Sequence, residues 1–220
     1  MKTFFSIFLS LFLINSFSQK TQNVGDFNSI EVYDQINAEL IPSDRNFVEI
    51  SGKNSESVQV INKNNTLKIR MKLDQFLKGE QTTVKIYYNT IYKIAVKEGA
   101  SLSSAQPVST PSLSLNANKG GLINLNVNTN SIDARLDSGG VIEISGETGS
   151  QDIVCNSGGY YDGKQLRTKT TNVTVNAGGN SEIYATDYVN AKTRAGGNIE
   201  IYGNPEVDQK TVAGGNIKIR

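Results

Sequence analysis

The sequence predicts an all-β chain wound as a parallel β-helix, or β-solenoid, of about seven coils, with an irregular β-stranded part at its N-terminal side. Three observations carry this. A glycine pair returns at Gly120-Gly121, Gly139-Gly140, Gly158-Gly159, Gly178-Gly179, Gly196-Gly197 and Gly214-Gly215, in steps of 19, 19, 20, 18 and 18 residues. Three pairs open nearly the same phrase: Gly-Gly-Asn-Ser-Glu-Ile-Tyr, Gly-Gly-Asn-Ile-Glu-Ile-Tyr and Gly-Gly-Asn-Ile-Lys-Ile. Around each pair, odd offsets from the first glycine are mostly apolar or small and even offsets polar. A fixed period of this length marks one supersecondary unit stacked on copies of itself, and the alternation inside it is that of strands.

The chain divides as follows. Residues 1–18 read as a secretory signal peptide, with Lys2 ahead of an apolar run from Phe4 to Phe17 and small Ser16 and Ser18 before a cut at Gln19. The run is too short for a membrane span, no second run of spanning length follows, and no Cys stands after it to carry a lipid. Residues 19–26 read as a short linker and 27–220 as one domain. From 27 to 90, short alternating runs (Ile30 to Leu40, Phe47 to Ile50, Val58 with Val60, Leu67 to Met71, Val84 to Tyr88) are separated by turns at Pro42–Asn46, Gly52–Glu56 and Asn62–Asn65. The runs on either side of Asn62–Asn65 read as a hairpin. Asp74–Gln81 reads as a protruding polar loop around Phe76 and Leu77. These strands are expected to start and cap the array, since the end unit of a solenoid lacks a neighbour.

From 91 to 220 the coils are regular. Inward positions are Ile123, Ile142, Tyr161, Ser181, Ile199 and Ile217 at +3, and Leu125, Ile144, Gly163, Ile183, Ile201 and Ile219 at +5. Cys155 shares the −3 column with Ala117, Leu136 and Val175, which makes it a small core residue. Each glycine pair is expected at a sharp corner, with the small residues before it on the crowded inside. Asn180, Asn198 and Asn216 at +2 are expected to form an amide ladder.

Composition excludes much chemistry. Removal of the leader leaves 21 basic and 21 acidic residues, which attracts neither nucleic acid nor an anionic membrane. There is no His, so the usual triads and His-metal sites are absent, and one Cys cannot form an internal disulfide. No cofactor is expected. Outward at +4 stand Glu143, Asp162, Glu182 and Glu200, a column that would hold a divalent cation through oxygens or else be a solvated face neutralised by Lys192, Arg194, Lys210 and Lys218. Tyr184 and Tyr202 share +6, with Tyr160 and Tyr188 near. Rings beside carboxylates suit a saccharide, although Tyr also simply suits an exposed strand. Glu182, Tyr184, Glu200 and Tyr202 are therefore the candidate binding residues.

The recurring Gly-Gly-[Asn/Val/Leu]-Ile-x-[Ile/Leu], the Phe27-Asn28-Ser29-Ile30 start and the leader resemble a secreted bacterial family common in Bacteroidetes, the putative auto-transporter adhesin, head GIN domain. The resemblance runs from about Phe27 to Ile219 and implies a β-solenoid and adhesion. Three readings follow. The first is a non-enzymatic, secreted solenoid, in the periplasm or at the cell surface, that binds glycan or another envelope component. The second is a polysaccharide lyase or hydrolase centred on the acidic column. The third is a structural module that self-associates end to end through its C-terminal coil, where Lys218 and Arg220 would blunt the exposed edge.

Overall fold

Alternate apolar residues turn to one side of every strand, and stacking the coils puts them on one continuous core. The computed structural model describes residues 20–220, so the segment read as a signal peptide lies outside the described residues. Three long strands carry the regular part: β11 (Leu122–Asp137), β12 (Val141–Cys155) and β13 (Tyr160–Asn176). Each bends through most of one coil and pairs parallel with the next. Ile123 lies over Ile142, then Tyr161, Ser181, Ile199 and Ile217 follow in register. The array has about seven turns. Beyond β13 the coils shorten to the strand pairs β14 (Asn180–Ala185) with β15 (Tyr188–Arg194), and β16 (Asn198–Gly203) with β17 (Glu206–Val212), followed by β18 (Asn216–Ile219). The 20-residue step takes up its excess as a bulge, because the register slips between Glu143–Asp162 and Ser145–Gln165.

The corners resolve the glycine pairs into two demands. Gly120 has φ 73°, and a Cβ there would meet nothing within 4 Å, so backbone conformation alone selects it. Gly121 sits where a Cβ would collide with the Val96 carbonyl oxygen of the coil below. The residue before each pair is not on a crowded inside, as the sequence suggested. Lys119, Ser138, Ser157 and Ala177 are exposed with φ of 48–50°, the first of two successive left-handed positions, which is why a lysine fits there.

At the N-terminal end the order in space departs from the order in sequence. β2 (Ser29–Val32) lies between β6 (Thr66–Met71) and β8 (Lys93–Lys97), and β3 (Asn37–Pro42) lies between β7 (Thr82–Tyr88) and β9 (Ser101–Ser104), all parallel. β10 (Val108–Asn118) follows on β8. The outermost edges are then covered by antiparallel strands. β5 (Val58–Lys63) pairs with β6 in the expected hairpin, and β4 (Phe47–Gly52) pairs with β7. The stretch expected to be a linker supplies β1 (Lys20–Asn23), antiparallel on β4. Antiparallel strands end the parallel stack and take up edge hydrogen bonds that would otherwise be open to another chain. The corner between β6 and β7 is extruded as the expected loop, on which Leu73, Phe76 and Leu77 are exposed.

The core follows the predicted alternation. The inward residues at +3, +5, −3 and −5 are buried through the coil of β16, each Ile or Leu contributing about 1.5–3 kcal/mol. In the coil of β18 Ile219 is 57% exposed. Cys155 is buried, and burial pushes its thiol up to about 11. Tyr161 is buried too, with room for its ring left by Gly163. Its hydroxyl donates to Gln151 Oε1 (2.6 Å), and Gln151 Nε2 donates to Thr171 (3.0 Å), so this buried polar chain is paired.

Candidate functional site

Strict register turns the +4 position into a column along the coil axis. Asn124, Glu143, Asp162, Glu182, Glu200 and Lys218 occupy successive coils on the outer face. Parallel strands stand about 4.8 Å apart, a spacing at which like charges repel. The face relieves this with two cations from outside the column and one amide within it. Lys164, thrown outward by the bulge in β13, bridges Asp162 (2.9 Å) and Glu182 (3.2 Å). Arg220 forks onto Glu200 at 2.7 and 3.0 Å. At the other end Asn124 Nδ2 donates to Glu143 (2.8 Å).

Tyrosines complete the network. Tyr160 donates its hydroxyl to Glu182 (2.6 Å), and Tyr202 donates to Glu200 (3.1 Å) with a longer contact to Glu182 (3.4 Å). The carboxylate of Glu182 accepting from Tyr160 pushes that phenol up to about 12. The Arg220 guanidinium holds the Glu200 carboxyl below its ordinary range, and the two carboxylates hold Lys164 above its own. Burial, with the bond to Glu200, raises Tyr202. These partners hold Glu200, Lys164 and Arg220 in their charged forms and Tyr160 and Tyr202 as neutral phenols.

Glu182, Glu200 and Tyr202 are therefore brought together. Tyr184 is in register with Tyr202, but the Arg167 guanidinium sits 5.9 Å from its ring centroid. The stacked aromatic pair among the described residues is Phe47–Tyr87, at the N-terminal end. Tyr160 joins the site, whereas Tyr188 belongs to the β13–β15–β17 face. Lys192 and Lys210 pair on that same face, away from the acidic column, so they are not its counterions. Sequence reasoning missed Lys164 and Arg220; the 20-residue step was the signal for the first. Among the described residues no three His, Cys, Asp or Glu side chains are arranged to hold a metal ion. Of the expected amide ladder one rung forms, with Asn198 Nδ2 donating to Asn180 Oδ1 (2.7 Å), while Asn216 is in register with Asn198 without a side-chain hydrogen bond to it. A separate amide pair, Asn176 Nδ2 donating to Asn156 Oδ1 (2.8 Å), stands just before the glycine corners. Tyr160, Asn180, Glu182, Asn198, Glu200 and Lys218 line an open groove of about 330 Å³.

The fold and this face define a β-solenoid that displays a repetitive polar surface. The chain belongs to the family described as putative auto-transporter adhesin, head GIN domain, whose model matches residues 26–205. Solved structures agree in fold. A putative adhesin from Bacteroides fragilis superposes with a TM-score of 0.83 at 19% identity, covering 94% of this chain and 98% of that one. A putative adhesin from Parabacteroides merdae gives 0.73 at 18% identity, covering 94% and 97%. A protein from Parabacteroides distasonis described as a putative lipid binding protein gives 0.72 at 15% identity, covering 94% and 98%. No curated protein matches the chain. Among the described residues no helix is long and apolar enough to cross a membrane.

Proposed function

We propose that the protein is a secreted, non-enzymatic adhesin whose outer face, formed by the groove at Glu182 and Glu200 and by Tyr184 and Tyr202 two residues further along the same strands, binds glycan chains at the cell envelope. The observation that carries this reading is the repetition itself. Asn180 and Asn198, Glu182 and Glu200, and Tyr184 and Tyr202 recur one per coil in register. A linear polymer meets equivalent donors and acceptors at each step along such a track. Carboxylates accept from sugar hydroxyls, amides both donate and accept, and tyrosine rings present apolar surface to the sugar C–H face. An enzyme would need a carboxyl or amine poised to exchange a proton near neutral pH. Here Glu200 is lowered and Tyr160 and Lys164 are raised, all away from neutrality.

The test is binding of the processed protein to a glycan array and to envelope fractions, with Glu182→Gln/Tyr202→Phe and Tyr184→Ala/Tyr202→Ala beside it. The proposal expects saturable binding that both double variants weaken at unchanged fold. Binding that survives both would move the site elsewhere, and turnover of a polysaccharide would replace adhesion with catalysis.

A further inference from the structure

Another concavity lies at the other end of the molecule, away from the Glu182 groove. Three turns converge there: Asn23–Phe27 after β1, Asp44–Asn46 before β4, and Asn89–Thr90 after β7. Between them they enclose about 560 Å³, within the usual range for small-molecule sites. A second hollow shares Asn23, Arg45 and Asn46 with the first and reaches Phe47, so the two are continuous.

The walls are held by hydrogen bonds rather than by packing alone. Asn62 Nδ2 donates to the Val24 and Asp26 carbonyls (2.8 and 2.7 Å) and pins the first turn. Asn46 Nδ2 donates to Asp26 Oδ1 (3.2 Å), and Asn46 Oδ1 accepts from the Asn89 backbone N–H (2.9 Å). Thr90 donates to Asn89 Oδ1 (2.9 Å). One asparagine thus ties all three turns together, which fixes the polar rim before any ligand arrives. Capacity remains on that rim. Asp44 and Arg45 are 91% and 82% exposed and stand 3.9 Å apart, a loose pair. Asp26 keeps a second carboxylate oxygen and Asn89 its amide N–H groups.

The aromatic floor is the other half. Phe47 stacks on Tyr87 with centroids 4.0 Å apart and planes 9° from parallel. Phe47 is paired with Asn23 on its other side, so Tyr87 backs the ring while the shared hollow opens beside Asn23. A braced aromatic face next to fixed carboxylates and amides is the arrangement that holds a pyranose ring, with C–H groups on the ring and hydroxyls on the acceptors. The rim carries Asp26, Asp44 and Arg45, a net charge of −1, which disfavours an anionic sugar.

We infer that this N-terminal hollow is a second binding site, one that takes a single neutral saccharide unit on Phe47 with Asp26, Asp44 and Asn89 on its hydroxyls. It is separate from the coil-axis groove and stands or falls without it. The test uses the processed protein, from Gln19 onward, titrated with neutral methyl hexosides and methyl N-acetylhexosaminides and followed by amide chemical shifts. Saturable shifts at Asn23, Asp44–Phe47 and Asn89–Thr90 are expected with at least one sugar. Asp44→Ala/Asn89→Ala should weaken that binding at least tenfold, and Glu182→Gln/Tyr202→Phe should leave it unchanged. Asp44 and Asn89 are exposed, so their loss leaves the fold intact, and an unchanged melting temperature verifies it. No saturable shift with any sugar at 20-fold ligand excess, or shifts confined to the Glu182 groove, would overturn the inference.

Discussion

At each corner two adjacent glycines answer different constraints, and substitution separates them. Gly139 needs only its φ of 72°, so Gly139→Ala should cost about 1 kcal/mol. Gly140 has the Ala117 carbonyl where a Cβ would go, so Gly140→Ala forces the coils apart and should cost about 3 kcal/mol. Denaturant unfolding of the two variants measures the difference. The sequence shows both glycines but not this division, since the collision is with a residue of the coil below. The same limit applies to Lys164. Its counterion role depends on a bulge that turns it outward, and no local pattern says which two carboxylates it meets. A pH experiment reads the neighbouring phenol. The folded state raises Tyr160 to about 12 from an ordinary 10, so between those values the folded chain holds a proton that the unfolded chain has lost. Its stabilisation is complete below pH 10 and lost as pH rises through 12. Tyr160→Phe should therefore flatten the fall in stability over that window, followed by thermal melts and phenolate absorbance.

Among the elements, the regular strands were legible because the code is simple: inward residues at odd offsets, polar ones outward, for strands from β11 to β16. The N-terminal elements were legible only as strands. Their partners were not, because β2 is threaded between β6 and β8, and no period in 27–90 marks that order. The threonine column Thr110, Thr129, Thr148 and Thr168 also escaped notice. These residues are buried in register at a bend, where Thr129 donates to Thr148 (2.9 Å) and Thr148 and Thr168 donate to the Ser150 and Leu166 carbonyls (3.1 and 3.3 Å), while the Thr110 hydroxyl has no protein partner among the described residues. The β5–β6 hairpin was legible from its turn. Asn64 and Asn65 have φ of 52° and 59°, both left-handed, as a two-residue hairpin turn requires. Asn64→Ala/Asn65→Ala should cost about 2 kcal/mol in a chemical melt. Asn65→Gly should hold or raise stability, since glycine takes that conformation without a Cβ clash.

For the whole molecule, stability is a sum over coils and their interfaces. Antiparallel strands cover the N-terminal end, whereas in the last coil Ile217 is half-buried and Ile219 exposed. Hydrogen exchange should therefore be graded, with the amides of β17 and β18 exchanging well ahead of those in β11, β12 and β13. Uniform protection would contradict a quasi-one-dimensional stack. The same stacking gives the outer face its regularity, and the central functional claim rests on it. The direct measurement is binding of the wild-type protein and of Glu182→Gln/Tyr202→Phe to a glycan array, with the melting temperature of both recorded. Saturable binding by the wild type to at least one glycan class, and a loss of tenfold or more in the variant at unchanged stability, are expected. Equal binding by the two proteins, or none by either, would contradict the claim.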